Sequence, residues 1–115
     1  MRLEGDRTFR QLLLYLFAYS RGAEMRYRLV MALVERPMNA NQLAKELGVD
    51  YKAVEHHIGI LLQNGLIQTP VAGAYGAPYF PSPLAEGYID YLREIWKEYG
   101  TRQKKGGGRE KKYIE

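Results

Sequence analysis

Five residues near the middle of the chain have types and spacing suited to recognition chemistry: Tyr51, Lys52, Glu55, His56 and Gly59. Intervals of one, three and four residues place them on one side of a helix. Phenol, ammonium and imidazole groups can donate to phosphate or guanine, and a carboxylate can accept from cytosine or repel phosphate. The glycine either permits close backbone approach or is a neutral surface position. These groups are suited to recognising a ligand by hydrogen bonding rather than to making or breaking covalent bonds.

Two helices joined by a tight turn position this face. The first ends at Gly48, which can adopt the left-handed conformation, and Asp50 is the expected cap of the second, which runs from Tyr51 to about Asn64. The apolar side of the pair is formed by Leu43, Ala44, Leu47, Val49, Val54, Ile58, Leu61 and Leu62. This spacing is typical of a helix-turn-helix.

The run LAKELGVDYKAVEHHIGILLQNGLI, Leu43 to Ile67, resembles the recognition region of ArsR-like winged-helix transcription regulators. Its ending, His57-Ile58, Leu61 and Gly65-Leu66-Ile67, is similar to that family's histidine-leucine, leucine and glycine-leucine-valine pattern. The resemblance extends from about Met25 to Tyr99. It implies an α+β, mainly helical fold: a winged helix-turn-helix with a two-stranded wing and extra N- and C-terminal dimerisation helices. It also implies a homodimer that binds double-stranded DNA.

The candidate DNA-binding residues combine the polar face with nearby groups. They are Tyr51, Lys52, Glu55, His56, Gly59, Lys45, Arg26, Arg28 and Tyr75. Arg26 and Arg28 are expected on the outer side of a helix from Ala23 to Glu35, which in the family lies near the DNA backbone; ordinary solvated charge is the alternative. His57 matches the family's inward histidine, and we expect it to make a hydrogen bond in the core.

A β-hairpin is expected after Gly65, which is predicted to close the recognition helix in the left-handed conformation. Its strands are predicted at Ile67–Val71 and Tyr79–Pro81, and a possible short strand at Met38-Asn39 precedes Asn41, the expected cap of the first helix of the pair. The turn between the strands contains no lysine or arginine, whereas the family commonly has a basic wing tip. Tyr75 is either a phosphate or sugar contact or a plain loop-tip residue.

The terminal helices are predicted to build the dimer. The first, from Arg7 to Ser20 with Asp6 or Thr8 as cap, is apolar nearly all round and needs cover that a small domain does not supply. The last opens at Ser82-Pro83 and ends at Gly100. The predicted interface consists of Leu12, Leu13, Leu16, Phe17, Tyr88, Leu92, Ile95, Trp96 and Tyr99. Packing within one domain is the alternative.

Four segments follow from this pattern. Residues 1–22 form the N-terminal dimerisation helix, 23–81 the DNA-binding domain, 82–100 the C-terminal dimerisation helix and 101–115 a basic, disordered tail. The chain has 115 residues and a net charge of +4. Residues 101–115 alone carry six basic and two acidic side chains. Residues 1–100 therefore have no net charge, which is unusual for a nucleic-acid-binding protein.

Composition argues against other kinds of chemistry. There is no cysteine, so disulfides and thiolate metal sites are excluded. The acids Glu86, Asp90, Glu94 and Glu98 have no histidine beside them and indicate a solvated face, so we expect no metal or cofactor. Neither serine has a histidine nearby, which argues against an enzyme. No leader is visible and Leu12 to Tyr19 is too short to span a bilayer, so a cytoplasmic protein is expected.

The sequence therefore predicts a sequence-specific DNA-binding transcription regulator, with repression as the simpler mechanism. The alternative is a winged-helix protein–protein interaction module whose tail contacts DNA nonspecifically. The neutral body and wing favour the alternative, and the polar helix face favours DNA. A small-molecule effector between the first and last helices is a further hypothesis.

Overall fold

The computed structural model describes residues 2–71 and 74–100. The predicted basic tail, 101–115, lies outside them. Two compact units are present: a terminal unit, formed by the described residues up to Glu24 and from Asp90 onward, and a central unit, Met25–Ile89. In chain order the elements are α1 Arg2–Leu14, a π-helical turn Tyr15–Tyr19, α2 Ala23–Glu35, α3 Ala40–Leu47, α4 Tyr51–Gln63, β1 Ile67–Gln68, β2 Phe80–Pro81, α5 Pro83–Glu86, α6 Ile89–Ile95 and a π-helical turn Trp96–Gly100.

The first helix starts earlier than predicted. It begins at Arg2, so Asp6 and Thr8 lie inside it rather than at its cap. Asp6 instead pairs with Arg10 one turn later, at 3.0 Å, as oppositely charged residues four apart do on a helix. At its far end the helix widens into the first π-helical turn, where the amide and hydroxyl of Ser20 both donate to the carbonyl of Tyr15.

The prediction of one continuous last helix is wrong. Ser82 does cap α5, since its hydroxyl accepts from the amide of Ala85, but this helix stops at Glu86. Gly87 follows, and its amide donates to the carbonyl of Pro83. Glycine has poor helix propensity, which accounts for a turn at this position. The chain resumes as α6 at Ile89.

Apolar side chains of the terminal unit are already buried within one chain. This holds for five of the nine predicted interface residues, which are Leu13, Leu16, Phe17, Leu92 and Ile95, each no more than 4% exposed. The expectation that the first predicted helix needs a partner subunit for cover is therefore wrong at Leu13, Leu16 and Phe17. Leu12, Tyr88, Trp96 and Tyr99 are half-buried. Among the residues of this unit whose burial is described, Tyr15 and Tyr19 are the exposed large apolar side chains, at 58% and 62%.

The space proposed for an effector contains packed side chains. The rings of Tyr19 and Tyr99 meet edge to face with centroids 5.4 Å apart, and their hydroxyls lie 3.3 Å apart. The guanidinium of Arg10 lies 4.5 Å from the centroid of the Tyr91 ring. These contacts occupy part of the space proposed for an effector, and the effector site stays a prediction.

In the central unit, both ends of α3 are set by local sequence features. Asn39, rather than the predicted Asn41, is the N-cap: its side chain accepts from the amide of Gln42, whose own side chain accepts from the amide of Asn39. This reciprocal capping box satisfies two amides that the helix leaves unpaired. Gly48 ends the helix with φ of 68°, as predicted.

The wing is shorter than predicted. Ile67 pairs with Pro81 and Gln68 with Phe80 in an antiparallel ladder. Met38 adds an isolated antiparallel bridge to Tyr79, at the place where a short strand was predicted. The bridge ties the segment before α3 to the returning strand of the wing.

Candidate nucleic-acid interface

Helix α4 separates an apolar face from a polar one. Val54, His57, Ile58 and Leu61 are buried, as predicted. Lys52, Glu55, His56 and Gly59 are exposed, and Tyr51 is half-buried. The buried positions recur at intervals of three and four residues, which is the period of an amphipathic helix. The helix therefore presents a row of polar groups while its opposite side holds it in the core.

The turn before α4 is built from backbone rather than from a side-chain cap. Asp50 occupies the N-cap position in an extended conformation, but its carboxylate makes no capping hydrogen bond. The prediction of a carboxylate cap is wrong. The amide of Val49 donates to the carbonyl of Ala44, and the amide of Val54 donates to the carbonyl of Asp50. These bonds fix the angle at which α4 leaves α3.

A buried pair joins α4 to α2. Arg26 is only 2% exposed and His57 9%, and a guanidinium nitrogen of Arg26 lies 3.2 Å from Nδ1 of His57. Arginine can only donate, so Nδ1 accepts and the ring proton sits on Nε2. Burial first, then the charges of Arg26 and His56, lowers the pKa of His57 to about 4. The core hydrogen bond predicted for His57 is present.

The prediction that Arg26 lies on the outer side of α2 is wrong. Arg26 shares one face with Leu29, Val30 and Leu33, which are all buried, because intervals of three, four and seven residues fall on the same side of a helix. The guanidinium is used inside the unit, so we remove Arg26 from the candidate DNA contacts. The spacing was visible in the sequence, but the charge of the side chain argued for the opposite face.

Arg28, by contrast, is exposed. Its guanidinium donates to the carbonyl of Leu47 at 3.4 Å, near the end of α3, where helix carbonyls lack partners within the helix. Lys45, in the last turn of α3, is also exposed. Both cations remain on the surface of the helix-turn-helix.

Tyr51 and Glu55 form a pair on the first turns of α4. A hydrogen bond to Glu55 is the largest cause that raises the pKa of Tyr51; smaller contributions come from burial and from the charges of Glu55, Tyr75 and Tyr79. The phenol therefore stays protonated, and in the free protein it donates its proton to the Glu55 carboxylate.

The wing supplies one prominent side chain, Tyr75, which is 86% exposed. Its hydroxyl accepts a hydrogen bond from the side-chain amide of Asn41, at 3.2 Å. Asn41 was predicted as a cap and not as part of the site. Since 34 residues separate the two in sequence, no local pattern could have indicated this contact.

The central unit is electrically neutral. Its five basic side chains, Arg26, Arg28, Arg36, Lys45 and Lys52, are balanced by Glu35, Glu46, Asp50, Glu55 and Glu86. Of the cations, Arg26 is buried, and Arg36 lies 3.4 Å from Glu46 in an exposed ion pair. Lys45, Lys52 and Arg28 are left as the exposed cations without a carboxylate partner among the ion pairs of this unit's described part.

Within residues 2–71 and 74–100, no three histidine, cysteine or acidic side chains come close enough together to hold a metal ion. Over the same residues, no helix is both long and apolar enough to cross a bilayer. The geometry of the described part thus offers a surface for contact, without a constellation for metal chemistry.

These elements define a class of protein. Two helices joined by a tight turn, the second presenting a polar face and followed by a β-hairpin, form a winged helix-turn-helix. The predicted fold class, mainly helical α+β with a two-stranded wing, is confirmed.

Comparison with protein families identifies the kind of winged helix. Residues 24–69 match the sequence profile of the family described as "Bacterial regulatory protein, arsR family". This match covers less than half of the chain, and over these residues the predicted resemblance to ArsR-like winged-helix transcription regulators is confirmed. Members of this family are DNA-binding regulators rather than enzymes. Among curated proteins, no sequence matches the chain.

Solved structures share the fold at low identity. Reduced HlyU from Vibrio cholerae is 18% identical, with a TM-score of 0.60 over 84% of this chain and 98% of HlyU. Lactococcus lactis ZitR, solved in complex with DNA, is 14% identical, with a TM-score of 0.53 over 73% of this chain and 59% of ZitR. Staphylococcus aureus MarR is 8% identical, with a TM-score of 0.56 over 64% of this chain and 51% of MarR. The chain thus spans between half and two thirds of ZitR and MarR.

Proposed function

We propose that this regulator binds double-stranded DNA sequence-specifically as a homodimer and represses transcription by blocking access to a promoter. The polar face of α4 carries the proposal: Lys52, Glu55, His56 and Gly59 are exposed on a helix whose opposite side is fixed in the core. A helix held in this way can enter a major groove and present donors and acceptors to base edges. Such a protein would act in the cytoplasm, where it meets its DNA.

The contacts divide into two kinds. Groups that donate to phosphate set the position of the protein, and groups that reach base edges read sequence. We assign Lys45, Arg28, Tyr51 and Tyr75 to the first kind, and Lys52, Glu55 and His56 to the second. Glu55 can accept only, so a cytosine amino group is its expected partner. Two recognition helices related by a dimer axis would require a roughly palindromic operator with half-sites about one helical turn apart.

A protein–protein interaction module is the second candidate, and a specific observation favours it. The central unit has no net charge and its wing has no basic residue, whereas DNA readers usually carry a basic footprint. In that case the six basic side chains of residues 101–115 would account for any contact with DNA, and that contact would be nonspecific.

One selection experiment separates the two candidates. The full chain is incubated with random-sequence duplex DNA, and so is a full-length variant in which the six basic residues of 101–115 are glutamine. Recovery of the same palindromic motif by both proteins is expected if the folded units read sequence. Binding by the wild type alone, with no motif, would establish that only the terminal basic residues hold DNA and that the interaction-module hypothesis leads.

A further inference from the structure

A hydrogen bond between distant segments orients Tyr75, an exposed residue of the wing. Asn41 lies in the first turn of α3, and its amide nitrogen lies 3.2 Å from the hydroxyl oxygen of Tyr75. An amide nitrogen only donates, so the hydroxyl oxygen is the acceptor in this bond. The proton of that hydroxyl therefore remains available to donate to a third group.

This bond adds little to folding stability. Tyr75 is 86% exposed, and a hydrogen bond in contact with water exchanges one partner for another at small net gain. What the bond does supply is direction, because it restricts where the phenol of a loop-tip residue points. An oriented donor on an exposed ring is suited to an external acceptor.

The acceptor that faces this surface in the proposed complex is the DNA backbone. The hydrogen bond joins the wing to α3, the helix that immediately precedes α4, so Asn41 and Tyr75 belong to the same winged helix-turn-helix as the helix proposed to enter the groove. No basic side chain of the wing competes for the same phosphate, since the segment from Thr69 to Pro78 contains none. Tyrosine and asparagine are common phosphate donors in protein–DNA complexes.

We propose that Asn41 and Tyr75 together form an uncharged phosphate-binding site, which holds the wing on the DNA backbone by hydrogen bonding instead of ion pairing. The proposal rests on the proposed function and assigns Asn41 to the interface. Its physical signature is the response to salt. A cation that neutralises a phosphate releases a counterion and steepens the salt dependence of binding, whereas a neutral donor does not.

The test uses the full chain and a mixed-sequence duplex of about 30 base pairs, which accommodates two successive half-sites. Affinity is measured between about 50 and about 200 mM salt for wild type, Tyr75→Phe, Asn41→Ala and the double variant. Tyr75→Phe should weaken binding by about tenfold at every salt concentration, with the salt slope unchanged, because a hydrogen bond to a charged acceptor is lost. Asn41→Ala should have a similar effect, and the double variant should bind no more weakly than either single variant, because the two residues act as one site.

Two controls complete the design. Lys45→Gln should reduce the salt slope by about one for each protomer, which shows that the assay detects a lost ionic contact. Gln63→Ala removes a side-chain amide from an exposed position of the central unit and should bind as the wild type does.

Each outcome decides between the two hypotheses. If the wild type does not bind duplex DNA, the proposed function fails and the phosphate site fails with it. If the wild type binds but either single variant matches it within about twofold, the phosphate site alone is overturned. The same conclusion follows if the losses in the double variant add, or if Tyr75→Phe changes the salt slope.

Discussion

At the scale of single residues, the buried contact between Arg26 and His57 decides what α4 can present. A guanidinium that is 2% exposed is stable only with polar partners, since an uncompensated charge in a core is costly. Nδ1 of His57 is one such partner, at 3.2 Å. With this pair buried, the two residues of α4 that precede His57, Glu55 and His56, are exposed. The core arrangement thus determines which polar groups of the helix reach a ligand.

The pair makes stability depend on pH. The pKa of His57 is lowered from 6.5 to about 4, so between these values the unfolded chain binds a proton that the folded chain does not. Stability is therefore complete above the unfolded pKa and falls as the pH drops toward 4. Between about pH 7 and about pH 4.5 this group should remove about 2 kcal/mol, after allowance for its residual contact with solvent.

His57→Gln tests this account, because glutamine keeps an acceptor for Arg26 and does not titrate. Urea unfolding at the two pH values should show a smaller loss of stability for the variant than for the wild type. His56→Gln, at the exposed neighbouring position, should retain most of the wild-type loss. A loss in His57→Gln as large as that of the wild type would contradict the assignment.

Gly59 is the second informative residue on this helix. A methyl group placed there meets no atom within 4 Å, so the folded protein has room for alanine. Gly59→Ala should raise stability by about 1 kcal/mol, because glycine is poor in mid-helix. DNA affinity should nevertheless fall if the glycine serves close backbone approach. Urea unfolding and DNA titration of the same variant measure the two effects, and unchanged affinity would make the glycine a neutral surface position.

At the scale of elements, the sequence predicts helix ends correctly where a single glycine sets the backbone conformation. Gly48 and Gly65 adopt positive φ, at 68° and 72°, as predicted for helix ends that need the left-handed conformation. The inward face of α4 was likewise predictable from its period. The start of α1 and the break at Gly87 were not, since helix ends depend on small differences in propensity that tertiary contacts override.

The prediction of which residues of α2 face the core was wrong at Arg26, because the apolar residues of this helix do not lie on a single side. Apolar residues occur on several sides of α2, and the charge of Arg26 outweighed its spacing in the prediction. The partnership between Asn41 and Tyr75 lies beyond any local pattern, because it forms only when the wing returns to α3. Residues that act through such long-range contacts require the folded structure.

The capping box of α3 leads to a prediction at this scale. Asn39→Ala removes the acceptor for the amide of Gln42 and should lower stability by about 1 kcal/mol. Asn41→Ala is the matched control, since it lies two residues further along in the same helix, has no capping bond and should change stability by less than about 0.5 kcal/mol. Equal losses in urea unfolding would indicate that Asn41, as first predicted from sequence, has the capping role.

At the scale of the whole molecule, the proposed dimerisation would determine the length of the DNA sequence that the protein recognises. One recognition helix in one major groove contacts only a few base pairs. Two linked recognition helices bind two half-sites, which raises the affinity without any new kind of contact. The terminal unit buries Leu13, Leu16 and Ile95 internally but exposes the rings of Tyr15 and Tyr19. We therefore expect the interface to involve these exposed rings and the half-buried Trp96 more than the apolar residues first predicted.

Tyr15→Glu tests that interface. A carboxylate placed on a ring position that is 58% exposed should leave the monomer folded but disfavour burial against a second copy, because a charge in an apolar interface is costly. Sedimentation should show a dimer for the wild type and a monomer for the variant. Leu84→Glu, at a 48% exposed position of the central unit, should remain dimeric.

DNA affinity for a palindromic duplex should fall at least about a hundredfold in Tyr15→Glu, because the second half-site no longer binds at high effective concentration. A monomeric variant that bound the palindrome as tightly as the wild type would show that each protomer reads DNA independently.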